Sequence, residues 1–166
     1  YGGGQSQLIS IDGKTMRGTI PKGKTQGVHL LAAYIPDEGV VLAQVEVGAK
    51  ENEISAVPKL LEQLDLKERV VCADAMQTQR QLSTDILARG GDYIWSLKGN
   101  QSTVLEDVSR FFDPIPDGCS RQPLPQTTVE TVDRGHGRKE VRRLTLIADE
   151  IAYLDWPGLR QVFQLE

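Results

Sequence analysis

Apolar residues fall along the chain in short runs separated by turn-forming clusters, and the spacing within each run predicts its element. Residues 7–11, with Leu8, Ile9 and Ile11, read as a short buried strand that stops on Asp12 and Gly13. Residues 13–27 read as a loop, and residues 28–35 (VHLLAAYI) as a second buried strand. Pro36, Asp37, Glu38 and Gly39 carry turn chemistry. Residues 40–47 (VVLAQVEV) then alternate in their second half, as a half-buried strand does. Residues 53–64 place Ile54, Val57, Leu60, Leu61 and Leu64 at helical spacing, with Pro58 in an early turn or at a break. Residues 69–73 repeat the design of the first strand and end on Asp74. A helix over residues 78–89, stopped by Gly90 and Gly91, leads to a strand at 92–97 and a helix at 102–112. Residues 113–125 hold four of the eight prolines and read as loop. Two strands, 126–132 and 139–148, flank the turn at 133–137 as a hairpin, and residues 159–165 offer one more strand.

Three strands joined by loops predict an antiparallel meander, and the strand–helix alternation after them predicts parallel pairing through right-handed crossovers. This order matches the ribonuclease H-like plan: an α/β fold with a mixed sheet flanked by helices. In that plan the first and fourth strands lie side by side, so Asp12 and Asp74 meet in space. The expected organisation is a flexible lead-in at 1–7, a catalytic core at 8–112 and a β-rich insertion at 113–166.

Composition narrows the class. The chain has 166 residues, 39% hydrophobic and 25% charged, enough for a core and too mixed for a disordered segment. No apolar run approaches the roughly 18 residues of a membrane span, and no signal-peptide pattern opens the chain. Cys72 and Cys119 are the only cysteines, which suits a reducing, cytoplasmic compartment, and Cys72 reads as a small core hydrophobe. The net charge of −4 argues against a generic polyanion binder. It hides two basic stretches, however. Residues 13–24 carry Lys14, Arg17, Lys22 and Lys24 without an acid, and residues 134–143 carry five lysines and arginines against Glu140.

Two strands that each deliver an Asp to their ends define the candidate chemistry. Asp12 followed by Gly13 also suits a turn that closes an edge strand and needs no function. Paired with Asp74 it becomes more specific, because neighbouring carboxylates repel unless a cation neutralises them. Oxygen ligands suit Mg2+ or Mn2+. Two such ions about 4 Å apart can activate an attacking hydroxyl and stabilise the leaving oxygen of a phosphodiester. That chemistry normally calls for a third acid.

Residues 11–18 (IDGKTMRG) resemble the IDGKTLRG opening of the catalytic domain of ISAs1-type (H-repeat-associated) DDE transposases. The similarity continues through His29-Leu30, residues 50–54 (KENEI, family K-S-N-E-I), 64–66, and 73–79, where Gln77 stands in place of the family's usual glycine. It also covers residues 90–93, 97–101, Gly135-His136-Gly137-Arg138 with Glu140 and Arg142, and Trp156-Pro157-Gly158-Leu159. The resemblance implies a bacterial DNA transposase that cleaves phosphodiesters and transfers strands, with Asp12 and Asp74 as its first two metal-binding catalytic acids. The family's third acid lies in a helical His-Trp-x-x-Glu-Asn pattern that is absent here and is expected beyond the chain end, so the fragment alone should be inactive. In insertion-free relatives such as retroviral integrases, the third acid falls near the position of Glu106, which is the competing assignment. The implied partner is double-stranded DNA at transposon ends, with a homodimer as one assembly, no membrane, and a nucleoid-associated location.

Candidate DNA contacts are Lys14 and Arg17 near the carboxylates, Lys98, Asn100 and Gln101 after the fifth strand, and His136, Arg138 and Arg142 in the hairpin. Each has a plainer reading as a solvated loop or turn residue. Trp95 and Trp156 read as core or interface residues. A different class is also compatible: a degenerate or domesticated DNA-binding or oligomerising module that keeps the fold without the catalysis.

Overall fold

Five of the apolar runs assemble into one mixed sheet. A computed structural model of the chain describes residues 7–20, 22–23, 27–48, 51–115, 117–120, 122, 124–135, 138–148, 151 and 153–166. The chain divides into two compact units, Tyr1–Asn100 and Gln101–Glu166.

The first unit contains β1 (Gln7–Met16), β2 (Val28–Ile35), β3 (Val40–Glu46), α1 (Glu53–Leu61), β4 (Arg69–Ala73), α2 (Arg80–Ala88) and β5 (Asp92–Trp95). Its sheet has the order β3-β2-β1-β4-β5. The β1–β2 and β2–β3 pairs are antiparallel, and β1–β4 and β4–β5 are parallel. An antiparallel meander that continues through two helical crossovers is the ribonuclease H-like arrangement expected from the element order.

Strand alternation gives the sheet a core face. Ile9 and Ile11 of β1, Leu31 and Ala33 of β2, and Val71 of β4 are buried in one cluster with Ala56, Val57, Leu60 and Leu61 of α1 and Leu82 and Ile86 of α2. Helix α1 starts in a capping box: Asn52 Oδ1 accepts from Ser55 N–H at 2.9 Å, and Ser55 Oγ accepts from Asn52 N–H at 3.2 Å. Pro58 lies inside α1 without ending it. Proline has no N–H to donate to the carbonyl of Ile54 one turn earlier, and Ile54 is an exposed residue. Helix α2 ends in a Schellman turn, with Gly90 N–H donating to Leu87 and Gly91 N–H to Ile86. Gly90 takes the left-handed conformation (φ 76°) that this turn requires.

One expectation is corrected here. Residues 13–16 are strand rather than loop, because Ser10 to Met16 pair residue by residue with Tyr34 to Val28 of β2. The backbone ladder holds a sequence whose side chains are mostly polar.

The second unit contains α3 (Ser102–Phe112) and an antiparallel sheet of β6 (Thr127–Gly135), β7 (Arg138–Ile147) and β8 (Val162–Leu165) in that order. Its strands fall in the last third of the chain, and α3, at residues 102–112, groups with them. Phe111 of α3 packs against Tyr153, with ring centroids 5.3 Å apart. No helix of the described residues is long and apolar enough to cross a membrane.

Leu60 is fully buried at the centre of the first core. Leu60→Ala should destabilise the unit by about 2–5 kcal/mol, read from urea unfolding, because it removes transfer energy and leaves a cavity.

Candidate carboxylate site

Asp12 and Asp74 are brought together by register. The parallel β1–β4 ladder runs from Gln7↔Arg69 to Ile11↔Ala73, and the next residue in each segment is an aspartate, Asp12 within β1 and Asp74 just past the end of β4. Ile11 and Ala73 face the core cluster, and alternation along β1 turns Asp12 to the opposite face of the sheet. Asp12 is exposed, and the Asp74 side chain is 65% exposed.

The loop after β4 is tied to the loop after β5 at three points. Lys98 Nζ lies 3.2 Å from Asp74 Oδ1. Asn100 Nδ2 donates to the Ala75 carbonyl at 2.8 Å, and Thr78 Oγ1 donates to the Ser96 carbonyl at 2.8 Å. Asp74 Oδ1 also accepts the Ala75 N–H at 2.7 Å. That backbone donor, followed by the hydrogen bond and charge of Lys98, holds the Asp74 carboxyl below its ordinary range. A lowered folded-state pKa means that this ionisation supports the fold above the ordinary carboxylate pKa, and the support is lost as pH falls through the folded value.

Lys14 and Arg17 are exposed and, with Gly13, Thr15 and Met16, line an open depression of about 470 Å³. The other candidate contacts are distributed differently. Gln101, Arg138 and Arg142 belong to the second unit, and His136 lies outside the described residues. Arg142 is already engaged by Asp133 at 2.6 Å and Glu140 at 2.5 Å. Glu106, also in the second unit, pairs with Arg110 at 2.8 Å.

Two features at the site have no obvious signal in the sequence pattern. His29 Nε2 bonds Glu53 Oε1 at 2.7 Å, and His29 Nδ1 bonds Thr15 Oγ1 at 2.9 Å. Only the His29-Leu30 and KENEI similarities pointed to these positions, and they assigned no role. Gln77, three residues after Asp74, is 2% exposed, and both polar atoms of its amide lack a partner among the described residues.

The donor chemistry fits a divalent cation. Both candidate ligands are carboxylates, and Asp74 already attracts an ammonium group. Among the described residues no three His, Cys, Asp or Glu side chains are grouped to hold a metal ion.

The sequence profile of the family described as "Transposase DDE domain" matches residues 3–154. The chain belongs to this family. It is 36% identical over 169 residues to an uncharacterised protein in the dhlA 3′ region of Xanthobacter autotrophicus, covering 99% of this chain and 55% of that protein. It is 30% identical over 160 residues to the H repeat-associated putative transposase YhhI of Escherichia coli K12, covering 93% of this chain and 41% of that protein. The chain thus spans about half the length of these curated relatives. Among solved structures it is similar to piggyBac transposase in a synaptic complex with hairpin DNA, at 14% identity and a TM-score of 0.48, covering 96% of this chain and 33% of that one. The transposase resemblance seen in the motifs from Ile11 to Leu159 is borne out by this membership.

Two outcomes follow from the site's polar contacts. Lys98→Met should raise the Asp74 pKa toward the ordinary carboxylate value without restoring it fully, since the Ala75 N–H remains; carboxyl 13C NMR titration reads this. Gln77→Met keeps the side-chain volume and removes the unpaired amide, so it should stabilise the first unit by about 1–3 kcal/mol in urea unfolding.

Proposed function

We propose that this chain is part of the catalytic domain of a DNA transposase, in which Asp12 and Asp74 are the first two acids of a metal-dependent DDE site. In the full-length protein the site cleaves phosphodiesters and transfers DNA strands. The observation that carries this reading is the register in which the last parallel pair, Ile11↔Ala73, is followed directly by Asp12 and Asp74. Membership of the transposase family supports it.

Asp12 and Asp74 would hold Mg2+ or Mn2+, which supplies Lewis-acid activation of the attacking hydroxyl and charge stabilisation at the leaving oxygen. A DDE site needs a third acid besides Asp12 and Asp74, and the strand-transfer activity is assigned to the full-length protein. Lys14 and Arg17 flank the carboxylate on β1 and the adjoining turn, where they can hold backbone phosphates, Arg17 in bidentate fashion. Lys98 neutralises Asp74 and is near enough to pair with a phosphate once a metal takes that carboxylate. Asn100 fixes the Ala75 peptide and so supports the loop that carries Asp74. In the second unit Arg138 is an exposed cation suited to backbone contact and Gln101 is half-buried, whereas Arg142 is bound by two acids.

Thermal unfolding with increasing Mn2+ tests the reading. The wild-type chain should gain stability, about 2.7 kcal/mol at 100 times the Kd. The Asp12→Asn, Asp74→Asn double variant should lose that response. An equal gain in both proteins would place metal binding elsewhere and overturn the assignment.

A further inference from the structure

The β1–β4 ladder ends at Ile11↔Ala73, and from Asp12 onward β1 is paired only with β2. The proposed first metal ligand therefore stands where its strand has lost one of its two neighbours. A second set of contacts begins at that point. Glu53 is the first residue of α1, its turn fixed by the Asn52–Ser55 capping box and its helix anchored in the core through Ala56, Val57, Leu60 and Leu61. The Glu53 carboxylate accepts from His29 Nε2–H at 2.7 Å. The other ring nitrogen, Nδ1, shares a hydrogen bond with the Thr15 hydroxyl 2.9 Å away. Thr15 and His29 face each other in the β1–β2 ladder. The same carboxylate covers Gly13 so closely that a Cβ added there would lie 2.2 Å from Glu53 Oε1 and 2.6 Å from its Cδ. The His29 and Glu53 side chains are only 28% and 23% exposed, so solvent weakens these contacts less than it does a surface pair.

We propose that Glu53 is a positioning residue for Asp12, clamping the end of β1 that only β2 supports to α1 through Gly13 and the His29–Thr15 hydrogen-bond chain. The inference rests on the reading of Asp12 as a metal ligand. Gly13 and Thr15 alternate with Asp12 along β1, so the clamp grips one face of the strand while the ligand projects from the other. Glu53 thus acts through the backbone rather than as a ligand. A side chain at Gly13 would displace the Glu53 carboxylate, the far end of its side chain, from its place against the strand.

Glu53→Ala, Glu53→Gln and Gly13→Ala test this with two readouts: Mn2+ affinity from the EPR signal of free Mn2+, and amide hydrogen exchange without metal. Loss of an outer-shell partner typically weakens metal binding by 10–100-fold, so Glu53→Ala and Gly13→Ala should each weaken Mn2+ binding about tenfold or more. Both should speed exchange at the amides of Gly13 to Thr15 and leave Ile9 and Val71 protected. Glu53→Gln retains an acceptor for His29 and should stay close to wild type. Unchanged Mn2+ affinity in Glu53→Ala and Gly13→Ala would make the clamp purely structural and overturn the proposal. A Glu53→Gln loss equal to that of Glu53→Ala would assign the effect to charge, with the same consequence. If the wild-type chain shows no Asp12-dependent Mn2+ binding, the metal reading fails by itself. The exchange data then decide the clamp, and unchanged protection at Gly13 to Thr15 in Glu53→Ala would overturn it.

Discussion

The in-register parallel pairing of β1 with β4 is the constraint on which the rest of the first unit depends. Side chains alternate across a strand, so a slip of one residue would carry Ile9 and Ile11 out of the core and turn Asp12 into it. Burial of Ile9 and Val71 at full depth makes that slip costly. The hydrophobic core therefore specifies the geometry of two exposed carboxylates that contribute nothing to its packing. The loops beyond the ladder inherit this precision through short side-chain ties, Asn100 to Ala75 and Thr78 to Ser96 on one side, Glu53 over Gly13 on the other.

Much of this was legible in the sequence because burial and periodicity are local signals. Apolar runs at 28–35 and 69–73, and the helical spacing of Val57, Leu60 and Leu61, predict their elements directly. The continuation of β1 to Met16 was not legible, since Lys14, Thr15 and Met16 are all exposed and the strand exists only by virtue of its partner. The His29–Glu53 contact joins a strand to a helix start across an intervening hairpin strand, and no periodicity reports such a meeting. Gly13 read as a turn residue, whereas in the fold it makes room for a carboxylate. Charge in the hairpin was read as a basic stretch available to DNA, but a sequence does not reveal which cations are already spoken for.

That hairpin shows why. Asp133 stands opposite Glu140 on β6 and β7, and Arg134 stands opposite Lys139. Like charges facing each other across an antiparallel pair are destabilising. Arg142 reaches both Asp133 and Glu140, and Arg143 reaches Glu130, so the basic residues of β7 offset the acidic ones. The apparent cationic surplus is partly internal neutralisation, and the field offered to a polyanion is smaller than the residue count suggests.

Trp95 stacks on Tyr93 with ring centroids 5.3 Å apart and donates its indole N–H to Ser83 of α2 at 2.8 Å. Its surroundings thus include β5 and the helix that packs there. The chain's second tryptophan, Trp156, is buried in the other unit. Each unit therefore carries its own intrinsic fluorophore, and replacing either indole by phenylalanine leaves an emission signal that follows the melting of one unit alone. Whether the two halves unfold as one cooperative body or as two is thereby open to direct optical measurement.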